Sequence, residues 1–207
     1  MAILKKQSNW KNLRFYQKSE VLYQLTAAYC RRFLPPYGDR TVDQMVQAAR
    51  SCKQNIVEGL ADGVTSSEMQ LKLLNVARAS LQELQEDFHD QLLKNGIGEW
   101  DSSNSRYESM LKYCREHNEL EDYSSFFDRW TLEEMCNCAI TLCHMTDYMM
   151  SRYLATLEDA FTREGGIKER MHRERTGYRQ QQDERMRYLE AEVKRLQALL
   201  AQHGIPF

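Results

Sequence analysis

A chain of 207 residues is long enough for one well-filled core and an appendage, and too short for two large domains. Three prolines and nine glycines are few for this length, which favours long helices over short strands joined by tight turns. No stretch approaches the roughly 20 apolar residues that span a bilayer, and no apolar segment follows Lys5 and Lys6. A membrane-spanning protein is therefore excluded, and we expect a soluble, cytoplasmic protein without a membrane partner.

The formal net charge of −2 conceals an uneven distribution along the chain. Residues 1–60 carry ten Lys and Arg against four Asp and Glu, and residues 61–162 carry eight against nineteen. Residues 163–207 carry ten against seven. An acidic middle flanked by basic ends can bind copies of itself or present a basic face to nucleic acid, although unevenly charged solvated helices would look the same.

The first two helices are predicted from apolar side chains that recur at a period of 3.6 residues. The first ends ahead of Pro35 and Pro36, which disfavour helical geometry. The second begins near Asp39 or Thr41, both favoured N-cap residues. The two stripes are Val21, Leu22, Leu25, Tyr29 and Phe33, and then Val42, Met45, Val46, Ala49, Cys52, Ile56 and Leu60.

Two further amphipathic helices complete the pattern. The third opens at Ser66 or Ser67 and ends before Gly96, and the fourth opens at Thr131, three residues before Glu134, a capping-box spacing. Their stripes are Met69, Leu73, Val76, Ala77, Ser80, Leu81, Leu84, Phe88 and Leu92, and then Leu132, Met135, Cys136, Ala139, Leu142, Cys143, Thr146, Met149, Met150, Tyr153, Leu157 and Phe161. Gly165 and Gly166 end the fourth. The fold class predicted is all-α, an up-and-down four-helix bundle over residues 1–163.

Residues 97–130 form a long insertion before the fourth helix. A short helix is predicted from about 104 to 117. The insertion also carries many aromatic side chains, namely Trp100, Tyr107, Tyr113, Tyr123, Phe126, Phe127 and Trp130. It is either a lid on the end of the bundle or a partner-binding surface. We favour the lid, because exposing so many aromatic side chains is costly.

Residues 164–207 are predicted to form a C-terminal extension helix with a charged first half. Its second half carries apolar residues at spacings of three, four, three and four, which is the a/d seam of a coiled coil. The seam residues, predicted to mediate oligomerisation, are Met186, Leu189, Val193, Leu196 and Leu200. The same register upstream holds His172, Arg175, Arg179 and Gln182, so the seam is short. We favour self-association over a solvated tail.

Residues 50–63, RSCKQNIVEGLADG, place a lysine and two glycines close together. A phosphate loop needs its glycines ahead of a helix, where free N–H groups face the anion. Here Gly59 and Gly63 follow the predicted helix, whose C-terminal end is weakly negative. The stretch is interpreted as a helix stop.

Metal and catalytic sites are not predicted. Cys136 and Cys143 lie on one face of a predicted helix and Cys138 lies nearly opposite, so the three thiols are poorly placed to bind one zinc ion. Glu86 and His89 have the spacing of a di-iron ligand pair but point away from the core. No nucleophile motif or glycine-rich fingerprint is present. We expect no cofactor and no enzymatic activity, and an enzyme of unrecognised type stays an alternative because catalytic groups can converge without a linear motif.

Three stretches carry a family resemblance: KQNIVEG (53–59), LLNVARASLQELQEDF (73–88) and GGIKERMHRERTGYR (165–179). They resemble the four-helix-bundle family that includes proteins encoded in intervening sequences of large-subunit ribosomal RNA genes and the accessory variability determinant of diversity-generating retroelements. The family motifs run approximately N-I-A-E-G and I-A-x-G-S-x-x-E-L-E, and this chain departs from them at Val57, Ala79 and Gln85. The third stretch looks like the suffix segment found in a subset of the family.

The resemblance covers residues 15–96 and 131–162 and continues into the suffix. It implies a homopentameric barrel of bundles. For the retroelement member, it also implies binding of nucleic acid and of a reverse transcriptase through basic surface residues.

The function expected is that of a non-enzymatic, homo-oligomeric helical adaptor or scaffold that binds RNA or DNA through basic residues. The candidate phosphate contacts are Arg31, Arg32, Arg40, Arg50, Lys53, Lys168, Arg170, Arg173, Arg175 and Arg179. The alternative is a protein-interaction scaffold without a nucleic-acid role, in which the basic ends pair with the acidic middle of other subunits.

Overall fold

The computed structural model describes residues 9–35, 37–38, 40–62 and 66–203, and in this part of the chain it contains helices and no strand. The all-α fold class is therefore confirmed. Four long helices form the bundle: α1 (Arg14–Phe33), α2 (Arg40–Asp62), α3 (Ser67–Lys94) and α6 (Leu132–Glu164). Between α3 and α6 lie α4 (Tyr107–Glu116) and α5 (Leu120–Ser124), and α7 (Ile167–Gln202) follows α6.

The helix ends follow the local signals in the sequence. The Ser66 hydroxyl accepts a hydrogen bond from the Met69 amide at 3.1 Å and caps α3. Thr131 and Glu134 exchange the two bonds of a capping box, at 3.3 Å and 2.9 Å, and α6 starts there. Gly165 has φ +73°, a left-handed conformation that suits glycine, and α6 ends beside it. Pro36, Asp39 and Gly63 lie outside the described residues.

The four long helices run alternately up and down. Phe15 and Tyr153 pack with ring centroids 5.3 Å apart, and the Arg32 guanidinium lies 3.5 Å from the Met135 sulfur, so α1 and α6 are antiparallel. Ser51 meets Ser80 at 2.9 Å while Gly59 lies against Leu73, so α2 and α3 are antiparallel as well. The expected bundle topology is confirmed.

The insertion packs along the sides of α1 and α6, whereas the sequence interpretation favoured a lid over one end. The amine of Lys18, near the start of α1, donates to the carbonyl oxygens of Cys114 and His117, the latter at 3.0 Å. The Arg32 guanidinium, near the end of α1, donates to the Phe127 carbonyl. The insertion therefore extends along most of α1, and its aromatic side chains Tyr123 and Phe127 are buried by that contact.

The first half of α6 is surrounded on all sides. Six consecutive residues, from 135 to 140, are buried, although one helix face would be exposed in a plain four-helix bundle. The insertion covers that face: the Cys138 sulfur lies 3.9 Å from the Cys114 sulfur of α4, and Asn137 accepts a hydrogen bond from the Trp100 amide at 2.7 Å.

Some assignments made from the sequence are corrected, among them Phe161 of the fourth stripe, which is 37% exposed. Gly59 does not mark the exit of α2, which continues to Asp62. A Cβ atom at Gly59 would lie 3.2 Å from the Leu73 Cβ, so this glycine permits the close approach of α2 and α3. Met69 and Val76, placed in the core by periodicity, are 42% and 43% exposed because they lie at the edge of the α3 stripe.

The described chain divides into two compact units, one formed by residues 9–163 and one by residues 164–203. The first contains the bundle and the insertion around one hydrophobic core. In the second, α7 is 36 residues long and none of its residues is buried.

Candidate interaction surfaces

The apolar seam of α7 is exposed along one side of the helix. Met186, Leu189, Val193 and Leu196 expose between 46% and 54% of their surface, and Leu200 is half-buried. They recur every three or four residues, which places them on one face of an α-helix. The seam residues are thus brought into one stripe, free of contacts that would bury them.

The basic residues of α7 lie ahead of this seam and are open to solvent. Lys168, Arg173, Arg175 and Arg179 are exposed, and Arg170 is half-buried. One nitrogen of Arg173 is occupied, because it donates to the Glu164 carbonyl at 3.0 Å. The five predicted phosphate contacts in α7 therefore share one helix, and most of their guanidinium and amine groups face water.

Two of the basic residues predicted in the bundle are occupied by internal contacts. The Arg32 guanidinium, besides its bond to the insertion, stands 4.7 Å from the centre of the Phe33 ring. The Lys53 amine lies 2.9 Å from a Glu20 carboxylate oxygen and 4.8 Å from the Tyr23 ring centre. Both side chains link helices to their neighbours, and a phosphate contact would have to break those links.

The other three basic residues of the bundle are exposed but do not form one patch. Arg31 lies 3.7 Å from Asp128 of the insertion, in a solvent-exposed ion pair. Arg40 and Arg50 are exposed residues of α2, nearly three turns apart. The sequence could not separate these from Arg32 and Lys53, because Phe127 and Glu20 are distant in the chain.

A groove between α2 and α3 was not predicted from the sequence. It has a volume of ≈ 830 Å³, and its charged lining residues are Arg40, Asp43, Glu83 and Asp87. Burial, followed by the neighbouring carboxylates Asp90 and Glu83, raises the pKa of Asp87. Three acids against one arginine make this groove unfavourable for phosphate. The acidic character of this groove could have been predicted from the closely spaced acids of α3, which include Glu83, Asp87 and Asp90.

A second, smaller pocket of ≈ 220 Å³ lies on the insertion. Its aromatic wall includes Trp100, Tyr113, Phe126 and Trp130, the last two stacked with centroids 5.0 Å apart. Arg106 stands 4.3 Å from the Trp100 ring centre and pairs with Glu133 and Glu134 at 3.2 Å and 3.1 Å. Arg106 therefore already occupies the place beside these aromatic rings and carboxylates where a cationic ligand would bind.

The cysteines behave as small core residues. All six are free and buried, and burial raises the pKa of Cys30 to about 11 and of Cys52 and Cys136 to about 12. Among the described residues, no group of three or more His, Cys, Asp and Glu side chains is arranged to hold a metal ion. The thiols with a raised pKa stay protonated at neutral pH, whereas the contact with Cys138 lowers the pKa of the buried Cys114 thiol.

Comparison with known proteins gave no match to this chain, whether against protein-family models, curated proteins or solved structures. None of the described helices combines the length and the apolar character needed to cross a membrane.

Proposed function

We propose that this protein is a non-enzymatic, self-associating helical adaptor in which α7 joins copies of the chain. The observation that carries the proposal is the seam of α7: five apolar side chains at coiled-coil spacing on a helix without a buried residue. Burying a Val, Leu or Met side chain contributes about 1.5–3 kcal/mol, so pairing two such stripes is strongly favourable. A second copy supplies a stripe of matching shape.

Nucleic-acid binding is the second role that we propose, and the exposed basic half of α7 supports it. Lys168, Arg175 and Arg179 offer donors for phosphate oxygens, and an assembly of copies multiplies them. In the bundle, Arg50 and Arg31 are the more accessible contributors, because Arg32 and Lys53 make internal contacts. The oligomer number of five, the reverse transcriptase as a partner and the cytoplasmic location remain predictions.

The first experiment measures the native mass of the protein at micromolar concentration by light scattering. We expect a mass of two or more chains for the unmodified protein and of one chain for the double variant Val193→Asp, Leu196→Asp, because two carboxylates per chain cannot be buried in the seam. The matched control, Ala191→Asp with Ala198→Asp, adds the same charge on the opposite side of α7 and should keep the unmodified mass.

Two outcomes of this measurement would overturn the self-association proposal. One is a single-chain mass for the unmodified protein across the whole concentration range. The other is an unchanged mass for the seam variant. Circular dichroism of each variant checks that the bundle remains helical, so that loss of assembly is not confused with unfolding.

A further inference from the structure

The heptad register of the apolar seam continues along the whole of α7. The residues that occupy it are charged or polar up to Gln182 and apolar after it. Residues on the seam face recur at spacings that alternate between four and three, from Lys168 to Leu200. In order they are Lys168, His172, Arg175, Arg179, Gln182, Met186, Leu189, Val193, Leu196 and Leu200. The seam face of the first half is therefore basic, and that of the second half is apolar.

The flanking charges of the apolar half favour a parallel pair of helices. With Met186 at position a of the heptad, Arg185 is at g and Glu190 at the following e. In a parallel pair, residue g of one helix meets residue e of the other, so Arg185 faces Glu190 twice. Glu192 meets Gln197 in the same way, without like charges opposed.

An antiparallel pair lacks this complementarity. Positions g then face g, and e face e. One antiparallel register brings Glu192 against Leu199, and the other brings Glu192 against Glu192 and Glu190 against Glu190. Val193 at a, with Leu189 and Leu196 at d, also matches the preference for two parallel strands.

The same parallel pairing drives the basic halves apart. Identical positions face each other in a parallel pair, so Arg175 would meet Arg175 and Arg179 would meet Arg179 of the second copy. Two layers of like charge cannot be buried together, and the helices diverge ahead of Gln182. Gly177 lies in the diverging part, and the conformational freedom of glycine favours a bend there.

We propose that two copies of α7 zip in parallel through the apolar seam and spread their basic halves as a fork that grips double-stranded DNA. The proposal rests on the self-association through α7 proposed above. Helices that continue from a zipper into basic arms and straddle the major groove are an established way to hold duplex DNA. From Lys168 to Arg179 the arm is about 17 Å long, enough to cross a major groove about 12 Å wide.

The orientation of the pair is tested by disulfide trapping. In a parallel pair, position a faces a, so Val193→Cys should give a covalent two-chain product under mild oxidation with oxidised glutathione. In an antiparallel pair, Val193 faces Leu196 or Leu189, so only a mixture with Leu196→Cys or Leu189→Cys would be trapped. The unmodified chain is the control, because its six cysteines are buried. Trapping only in a mixture would overturn the parallel arrangement.

The DNA arm is tested with a mixed-sequence 30-base-pair duplex in titrations at several salt concentrations. We expect Arg175→Gln with Arg179→Gln to keep the native mass and to weaken binding at least tenfold. If all four arginines of the pair contact phosphate, the log–log salt slope also falls by about 3 to 4, at about 0.9 per contact. The matched control, Lys194→Gln with Arg195→Gln, removes the same charge beside the zipper and should bind as the unmodified protein does.

The outcomes separate the fork from the self-association on which it rests. A single-chain mass for the unmodified protein would overturn both the fork and the self-association. A two-chain mass without duplex binding, or with equal loss in both charge variants, would overturn the fork alone. Tighter binding to a 30-nucleotide single strand or to duplex RNA than to duplex DNA would overturn the choice of ligand.

Discussion

Lys18 is the clearest case of a single residue whose role is set by its surroundings. Its side chain is 2% exposed, and its amine donates to the carbonyl oxygens of Cys114 and His117 at the C-terminal end of α4. Burial, followed by nearby Arg14, lowers the pKa of Lys18, while the thiols of Cys114 and Cys138 oppose that shift. A cation at this position also complements the negative end of the α4 dipole.

Replacing Lys18 with methionine should lower the free energy of unfolding by about 2 kcal/mol, because the aliphatic volume is kept while two buried carbonyl groups lose a charged donor. Urea denaturation of the purified variant measures the change. Lys72→Met on the exposed side of α3 is the matched control and should change the free energy by less than about 0.5 kcal/mol. Equal losses in the two variants would mean that the Lys18 contacts contribute nothing.

At the scale of helices, the contact between α2 and α3 depends on a glycine that the sequence interpretation assigned to a helix end. Gly59 lies inside α2, where a Cβ would lie 3.2 Å from the Leu73 Cβ and 3.3 Å from the Leu74 Cγ. The Leu73 Cβ is fixed by the backbone of α3, so the two helices would have to separate to accept a methyl group. Close approach outweighs the poor helix propensity of glycine here.

Gly59→Ala should therefore reduce the midpoint of thermal unfolding, even though alanine favours helices by about 1 kcal/mol. Gly177→Ala on α7 is the matched control, since its Cβ would meet no atom within 4 Å, and it should increase helical content. Circular dichroism during heating measures both. A stabilised Gly59→Ala variant would show that α2 and α3 can separate at little cost.

Local signals made most helix boundaries predictable, whereas contacts between distant segments were not. Pro35, the Thr131–Glu134 capping box and Gly165 act on their chain neighbours, and the helices end or begin beside them. The short helix α5 and the side-on placement of the insertion depend on packing against α1 and α6, which no local pattern encodes. For the candidate surfaces, the seam of α7 followed from periodicity alone.

The roles of charged residues also depend on contacts between distant segments, which the sequence does not reveal. Arg32 and Lys53 were grouped with the surface cations because a side chain's partner cannot be identified from spacing on its own helix. Lys18 offered a usable signal, since it falls in register with Leu22, Leu25 and Tyr29 on the buried stripe of α1. A lysine at a core position of a predicted stripe indicates a buried acceptor nearby.

For the whole molecule, buried thiols and phenols link stability to alkaline pH. Burial raises the pKa of Cys30 to about 11 and of Cys52 and Cys136 to about 12, from an ordinary value of 9.0. Burial also raises the pKa values of two further thiols and two phenols, those of Cys138, Cys143, Tyr29 and Tyr123. Between pH 9 and the raised values, the unfolded chain loses protons that the folded chain keeps, so stability falls as pH rises. The pKa values of Lys18 and Cys114 are lowered instead, and these two groups act in the opposite direction.

Each of the three thiols with a pKa of about 11 or 12 should cost about 1 kcal/mol of stability by pH 10, one unit above its unfolded pKa. Urea denaturation under reducing conditions should therefore show a free energy of unfolding to which these thiols contribute nearly constantly up to pH 8, followed by a loss of several kcal/mol by pH 10. Cys52→Ala lowers stability at pH 7.5 by leaving a small cavity, yet it removes one titrating group, so its loss of stability between pH 7.5 and pH 10 should be smaller by about 1 kcal/mol. An unmodified protein equally stable at pH 7.5 and pH 10 would mean that these thiols ionise as readily in the folded chain as in the unfolded one.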